Sequence, residues 1–151
     1  MKKEKTFTFR LISNKIISYS ENSMEKNGIN PNELKNVKTY LEVKLGFNIE
    51  KEIIGFLIKT DFFYGTGENK IDLINIETVH QFKVIDFKKH FEISKDNKVN
   101  IPDQLMSTFL GIAISGTRGM LTASIKSQEY KNFIIPLMDI KKMIEQLKTK
   151  D

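Results

Sequence analysis

Polar and apolar residues alternate between Val37 and Phe47, where Val37, Thr39, Leu41, Val43, Leu45 and Phe47 interleave with Lys38, Tyr40, Glu42 and Lys44. A period of two predicts a strand with one buried and one wet face. The same alternation starts at Thr6, with Phe7, Phe9 and Leu11 on one face and Thr8 and Arg10 on the other. Near Ser13 and Asn14 its phase becomes mixed, which predicts a bulge or bend before Ile16 to Tyr19. From Ile53 to Tyr64 both faces are apolar, Ile54, Phe56, Ile58 and Phe62 lying opposite Ile53, Leu57 and Phe63. Such a strand is central, or one of its faces meets something other than solvent. The run Gly65 to Lys70 reads as a hairpin loop, because GTGENK lacks the spacing of a phosphate loop and leads into a strand instead of a helix. Ile71 to Ile93 then predicts a long strand or a bent pair, with Ile74, Ile76, His80, Phe82 and Val84 on one side. Ser20 to Asn36 is a long polar connection with turn signals at Asn27-Gly28 and Asn30-Pro31-Asn32 and room for one helical turn after Pro31.

Ile101 to Met138 is the one long stretch with a helical pattern. Leu105, Phe109 and Ile112, with Met106, Leu110, Ala113 and Ile114, recur at three- and four-residue spacing and nearly encircle the helix. It should therefore be buried on more than one side. Gly111, Ser115 and Gly119 fall on a single stripe with Gly116 alongside. Each glycine inside a helix costs about 1 kcal/mol relative to alanine, so the stripe needs a packing reason. Close approach of another backbone, such as a second helix, supplies one, and a break or kink near Gly111 or Gly116 is the alternative. Ser94 to Asn100 precedes this segment as a turn, and Pro102 opens it. Phe133 to Leu137 is a short apolar patch around Pro136. Asp139 to Lys148 is an amphipathic closing helix with Ile140, Ile144 and Leu147 on its stripe.

At 151 residues the chain reads as one domain, 1–151, long enough to bury a core without staples. No cysteine occurs, which excludes disulfides, a thiolate nucleophile and a cysteine metal site, and fits a reducing cytoplasm. The basic start has no apolar run behind it, so no secretory signal is read there. The longest uncharged run, Gln104 to Thr117, is shorter than the roughly 20 residues that span a bilayer, so a soluble protein is expected. Formal charge is +5, from 24 Lys and Arg against 19 Asp and Glu. Lysines are scattered singly and in pairs such as Lys2 and Lys3, Lys88 and Lys89, or Lys141 and Lys142, as on a solvated basic face.

Candidate chemistry is sparse. His80 and His90 both lie on the strand segment at no metal-ligand spacing, so no metal is expected. Asp61, Asp72 and Asp86 lie in strand patterns without an identifiable partner, and no nucleophile or nucleotide motif occurs, so neither a catalytic residue nor a cofactor is expected. Apolar surface, by contrast, is plentiful. Eleven phenylalanines lie in a chain whose only helices are two. Two helices can cover one face of a sheet, which leaves the remainder to another subunit, a bound chain or, in a larger monomeric core, loops folded across it.

Several strings in order give the chain a resemblance. Phe7 to Ile12 followed by Asn14-Lys15-Ile16-Ile17-Ser18-Tyr19, the strand Val79 to Val84, Gly116-Thr117-Arg118-Gly119-Met120-Leu121, and Phe133-Ile134-Ile135-Pro136-Leu137-Met138 resemble successive parts of the SecB family of export chaperones. The resemblance runs over nearly the whole chain. It implies an α+β fold, a four-stranded antiparallel sheet with a long helix and a C-terminal helix on one side. It also implies a homo-oligomer, a dimer of dimers whose long helices pack between sheets, with Gly111, Ser115 and Gly119 at the contact. The function implied is that of an ATP-independent holdase taking unfolded polypeptide clients in apolar grooves. Phe7, Phe9, Ile17 and Tyr19 from the first strand, and Phe133 and Ile135 from the proline string, are the expected groove residues. One departure concerns SecA, the translocase motor on which the acidic surface of the export chaperone docks. This chain has a pI near 9.3 and places Lys141, Lys142, Lys148 and Lys150 in its last helix and tail, so SecA as a partner stays open. Relatives that guard an aggregation-prone antitoxin make a dedicated chaperone the alternative.

Two further classes compete. A nucleic-acid module would need lysines gathered on the aromatic face, whereas between Val37 and Phe47 they lie opposite the apolar one. An enzyme acting on a small apolar ligand would need convergent polar groups, and none is identified.

Overall fold

The computed structural model describes residues 6–149; Lys2, Lys3 and Lys150 lie outside the described residues. The fold is α+β. Strands β1 (Phe9–Glu21), β2 (Lys38–Asn48), β3 (Ile53–Tyr64) and β4 (Ile71–Val84) form an antiparallel sheet in the order β1-β4-β3-β2. The doubly apolar stretch is the interior strand β3, the first of the two readings its pattern allowed, and β1 and β2 are the edges. A four-residue helix, α1 (Phe87–His90), and a small ladder of β5 (Glu92–Ile93) with β6 (Val99–Asn100) lead to the long helix α2 (Asp103–Ser124), and α3 (Ile140–Thr149) closes the chain. Both long helices pack on one face of the sheet, where Ile144 of α3 joins Phe109 and Leu110 of α2 and Ile54, Phe56 and Phe82 of the sheet in a single buried cluster.

Four boundaries differ from the sequence pattern, each for a local reason. The first strand begins at Phe9 and slips register twice, between Leu11 and Ser13 and between Ile16 and Ser18, so Ile12 and Ile17 have no opposite residue on β4. That accounts for the mixed phase. The segment read as strand to Ile93 ends at Val84, because Asp86 takes a left-handed conformation (φ 58°) and turns the chain into α1. Helix α2 runs unbroken through Gly111 and Gly116 and stops at Ser124, so the kink does not occur. Beyond it the string from Phe133 to Met138 is extended along α2, held by Arg118, whose guanidinium donates to the carbonyls of Ile135 (3.0 Å) and Pro136 (2.7 Å). The long connection after β1 carries Met24 and Ile29 into the core against Leu121, Tyr130 and Ile135, on the same face as the helices. Among the described residues nothing covers the opposite face of the sheet.

The core is two apolar clusters divided by a polar layer. On β4, Thr78 and His80 separate Ile76 from Phe82; on β3, Thr60 separates Ile58 from Phe62; on α2, Thr117 separates Ile114 from Leu121. Thr60, Thr78, His80 and Thr117 have no exposed surface. His80 Nε2 lies 3.0 Å from Thr78 Oγ1 and 2.9 Å from Thr117 Oγ1, the two hydroxyls are 2.7 Å apart, and Thr117 donates to the Ala113 carbonyl at 3.0 Å. One assignment satisfies this set: His80 Nε2–H and the Thr78 hydroxyl donate to Thr117, which passes its own proton to the helix. His80 Nδ1 then keeps a bare lone pair, and among the described residues it has no partner. The ring sits against Gly116, where a Cβ would come within 2.9 Å of His80 Cε1. Glycine is required at that point by close approach.

Burial holds His80 below the ordinary histidine range, so the folded state keeps the ring neutral while the unfolded chain takes up a proton. The unfolded state therefore binds more protons as pH falls below about 6.5, and stability declines there by at most about 1.4 kcal/mol per pH unit. Above that pH this dependence vanishes. Urea titrations from neutral to mildly acidic pH should show the decline in the parent and a shallower one in His80→Gln; parallel profiles would remove His80 as its source. Gly116→Ala should cost about 1–3 kcal/mol through the clash with the ring, read as a lower urea midpoint.

Candidate functional site

Strand β2 is an edge, and the amphipathic helix α3 lies beside it. The helix starts at Asp139, whose carboxylate accepts from the Lys142 amide at 3.2 Å, and it buries Ile144 against Val43 and Met106. Ile140, Met143 and Leu147, which flank Ile144 on this face, are only partly covered. Near the other end Lys148 pairs with Asp103 at the start of α2, fixing the two helices together. Between strand and helix run two concavities of about 460 and 450 Å³ that share Glu42, Val43 and Leu147. They adjoin at these residues and together make a groove that reaches Tyr40 and Met138 on one side and Lys98 and Asn100, around β6, on the other. Its floor is aliphatic, from Leu41, Val43, Leu45 and Leu147. Along one wall runs a strand edge with no partner among the described residues.

Two other surfaces are apolar and uncovered. On β1, Leu11, Ile12, Ile16 and Ile17 are 42–56% exposed, two of them at the register slips. On α2 the outward face carries Thr108, Gly111, Ile112, Ser115, Gly119 and Thr122, with no charge between Asp103 and Arg118. A Cβ added at Gly111 or Gly119 would meet nothing within 4 Å, so nothing among the described residues explains these two glycines.

The residues expected to line a groove do not come together. Phe7 and Phe9 turn inward, Phe9 stacking edge-on against Phe109 at 4.9 Å, and Phe7 packing on Phe9, Phe91 and His90. Ile135, 1% exposed, belongs to the second buried cluster, and Tyr19 and Phe133 are half-buried against it, Phe133 packing on Tyr130 and Phe62. Ile17 alone is exposed to that degree, at 56%. Gly111, Ser115 and Gly119 do share one outward stripe. Sequence periodicity missed the groove, since it pairs two segments a hundred residues apart. The amphipathic stripe of α3 next to the alternation of β2 was the available signal.

The polar groups serve anchoring. Glu21 at the end of β1 accepts from the amides of Ser127 (2.6 Å) and Lys126 (3.0 Å) and from the Tyr19 hydroxyl (2.6 Å). Burial opposes its charge, but the Lys126 amide, the Tyr19 hydroxyl and the Ser127 amide outweigh this and hold the carboxyl below the ordinary range. Burial and the neighbouring Glu21 push the Tyr19 hydroxyl well up, so it stays a donor. Tyr130, also raised by burial, donates to the Asn22 carbonyl. These contacts tie the end of β1 to the segment after α2. Among the described residues no group of His, Asp or Glu is placed to hold a metal ion, and no helix is long and apolar enough to cross a membrane. His80 is enclosed and His90 packs on Phe7.

No family model matches the chain, and no curated protein does. Among solved structures, a protein of unknown function from Streptococcus agalactiae is similar at 12% identity, covering 89% of this chain and 99% of that chain with a TM-score of 0.25. A likeness of that degree carries no argument about fold or function.

Proposed function

We propose that the protein is a holdase of the SecB type, acting without nucleotide on unfolded polypeptides. The observation that carries this reading is the groove between β2 and α3. An extended client segment laid along β2 would exchange backbone hydrogen bonds with a free strand edge while alternate side chains enter an aliphatic trough. Backbone bonding and unspecific apolar contact reward extended structure over any one sequence, as a holdase requires. The groove replaces the six residues expected from the sequence as the client surface, with Leu41, Leu45, Met143 and Leu147 as its contacts.

The proposed assembly is a homo-oligomer, a dimer of dimers. The uncharged small-residue face of α2 supports it, because Gly111, Ser115 and Gly119 would let a second helix approach closely where no neighbour within the chain uses the space. Whether clients are general or belong to one dedicated partner such as an antitoxin turns on which polypeptides bind. SecA is not part of the proposal. A cytoplasmic location accompanies it.

A permanently unfolded polypeptide, offered without nucleotide, should bind with an affinity that tolerates salt, while its folded counterpart should not. Met143→Glu with Leu147→Glu places charge in the groove and should weaken that binding about tenfold or more, with the fold intact by circular dichroism. Unchanged affinity would remove the groove assignment, and absence of binding by the parent would remove general holdase activity. Gly119→Leu should lower the oligomer mass measured by light scattering, whereas an unaltered mass would count against the helix contact.

A further inference from the structure

The open face of the sheet is not uniform. Register places its outward residues in rows that cross the strands from β1 to β2. Arg10, Lys83, Ile53 and Asn48 make one row; Ser13, Gln81, Gly55 and Gly46 the next; Lys15, Val79, Leu57 and Lys44 the third. Beyond these come Ser18, Glu77, Lys59 and Glu42, where acids balance the base. The first three rows therefore carry Arg10, Lys83, Lys15 and Lys44 and no carboxylate. Lys83 pairs with Glu52 of the turn at 3.2 Å, and among the described residues Arg10, Lys15 and Lys44 have no ion-pair partner.

The middle row is low. Gly46 faces Gly55 across β2 and β3 with no side chain on either, and the dip encloses about 360 Å³ bordered by Ile53, Leu57, Val79 and Lys44. Neither glycine has the positive φ that would demand glycine, and a Cβ at Gly55 would meet only the Gly46 carbonyl, at an ordinary 3.8 Å. Their absence of side chains shapes this surface and leaves the backbone unaffected.

We infer that this trough is a docking site for an acidic, aliphatic segment of a partner polypeptide. Three strand spacings separate Lys15 from Lys44, about 14 Å, which an extended peptide crosses in about four or five residues. Carboxylates of such a segment would reach Lys15, Lys44 and Arg10 at the margins while its aliphatic side chains rest on Ile53, Leu57 and Val79. A nucleic acid fits less well: the three rows, of which the first and third are cationic, hold no aromatic side chain on which a base could stack, and Phe47 at the border of the trough stands in register with the inner-facing Ile54. The trough and the α3 groove lie on opposite faces, so this inference is independent of the holdase reading.

The probe is a fluorescently labelled synthetic peptide alternating glutamate and valine, titrated with the full chain and read by anisotropy. It should bind at low salt and weaken as salt rises past about 150 mM, while the same peptide with lysine for glutamate should not bind. Lys15→Glu with Lys44→Glu should lower the affinity about tenfold or more. Gly55→Val fills the trough without changing charge, suits a strand, and should lower it about as much. Met143→Glu with Leu147→Glu should leave it unchanged. The inference is overturned by any of four results: no binding of the acidic peptide, full affinity in both trough variants, loss of binding in the α3-groove variant, or tighter binding of an oligothymidylate of equal charge.

Discussion

The docking of α2 across the sheet depends on one buried polar layer. An aliphatic core would let a helix with apolar residues nearly all round slide or rotate, since dispersion and burial have little direction. The contacts of His80 with Thr78 and Thr117, and the fit of its ring against Gly116, have direction. A shift of α2 by one residue would break the contacts that Thr78 and His80 make with Thr117, and a polar group left unpaired in a dry interior costs about 1–3 kcal/mol. The layer thus sets which face of α2 looks away from the sheet. That face is the one with Gly111, Ser115 and Gly119. The residual cost of the arrangement is the Thr60 hydroxyl and the Nδ1 of His80, both without a partner among the described residues, the latter tolerable while the ring is neutral.

From that placement follow the surfaces left uncovered. Helix α2 and the connection carrying Met24 and Ile29 occupy the inner face over β4 and β3, and α3 fills the remainder toward β2 without closing over it. Among the described residues both edge strands keep a row of unpaired backbone groups, a feature that natural sheets commonly blunt with charge, bulges or cover. Edge β1 has its two register slips, yet it displays Leu11, Ile12, Ile16 and Ile17, while edge β2 has an aliphatic groove at its side. Leaving such edges apolar raises the aggregation hazard of a free chain.

Much of this was legible in the sequence, and the failures have a common physical form. Strict alternation identified β2 and its wet face, two-sided hydrophobicity identified β3 as interior, and glycine spacing identified the outward stripe of α2. Each depends on residues close together in the chain. Phe9 and Phe133 were expected in a groove from the resemblance; the alternation around Phe9 gives the two faces of a strand but not which of them the helices cover, and the string around Phe133 has no period to give a face at all. The long strand or bent pair expected from Ile71 to Ile93 ends at Val84, just before Asp86 in a left-handed turn, a conformation that composition does not announce. His80 was read as a plain strand residue and is one, but its partner Thr117 lies 37 positions away and could be found only in space. The cationic trough needs registers across all the strands before Gly46 meets Gly55.

Strand β2 links the two candidate surfaces. Its odd-numbered residues Leu41, Val43 and Leu45 floor the groove beside α3, and its even-numbered residues Lys44 and Gly46 border the trough on the other face. A slip of one residue would exchange these sets, putting lysine into the core and leucine into water. The β2–β3 turn sets the register, through Asn48 accepting the Lys51 amide at 2.9 Å and Glu52 in the left-handed region at φ 57°. Glu52 also accepts the Val84 amide through its carbonyl and pairs with Lys83. One short turn therefore holds the hairpin in register, joins it to β4, and keeps an apolar surface and a cationic one back to back on the same eleven-residue strand.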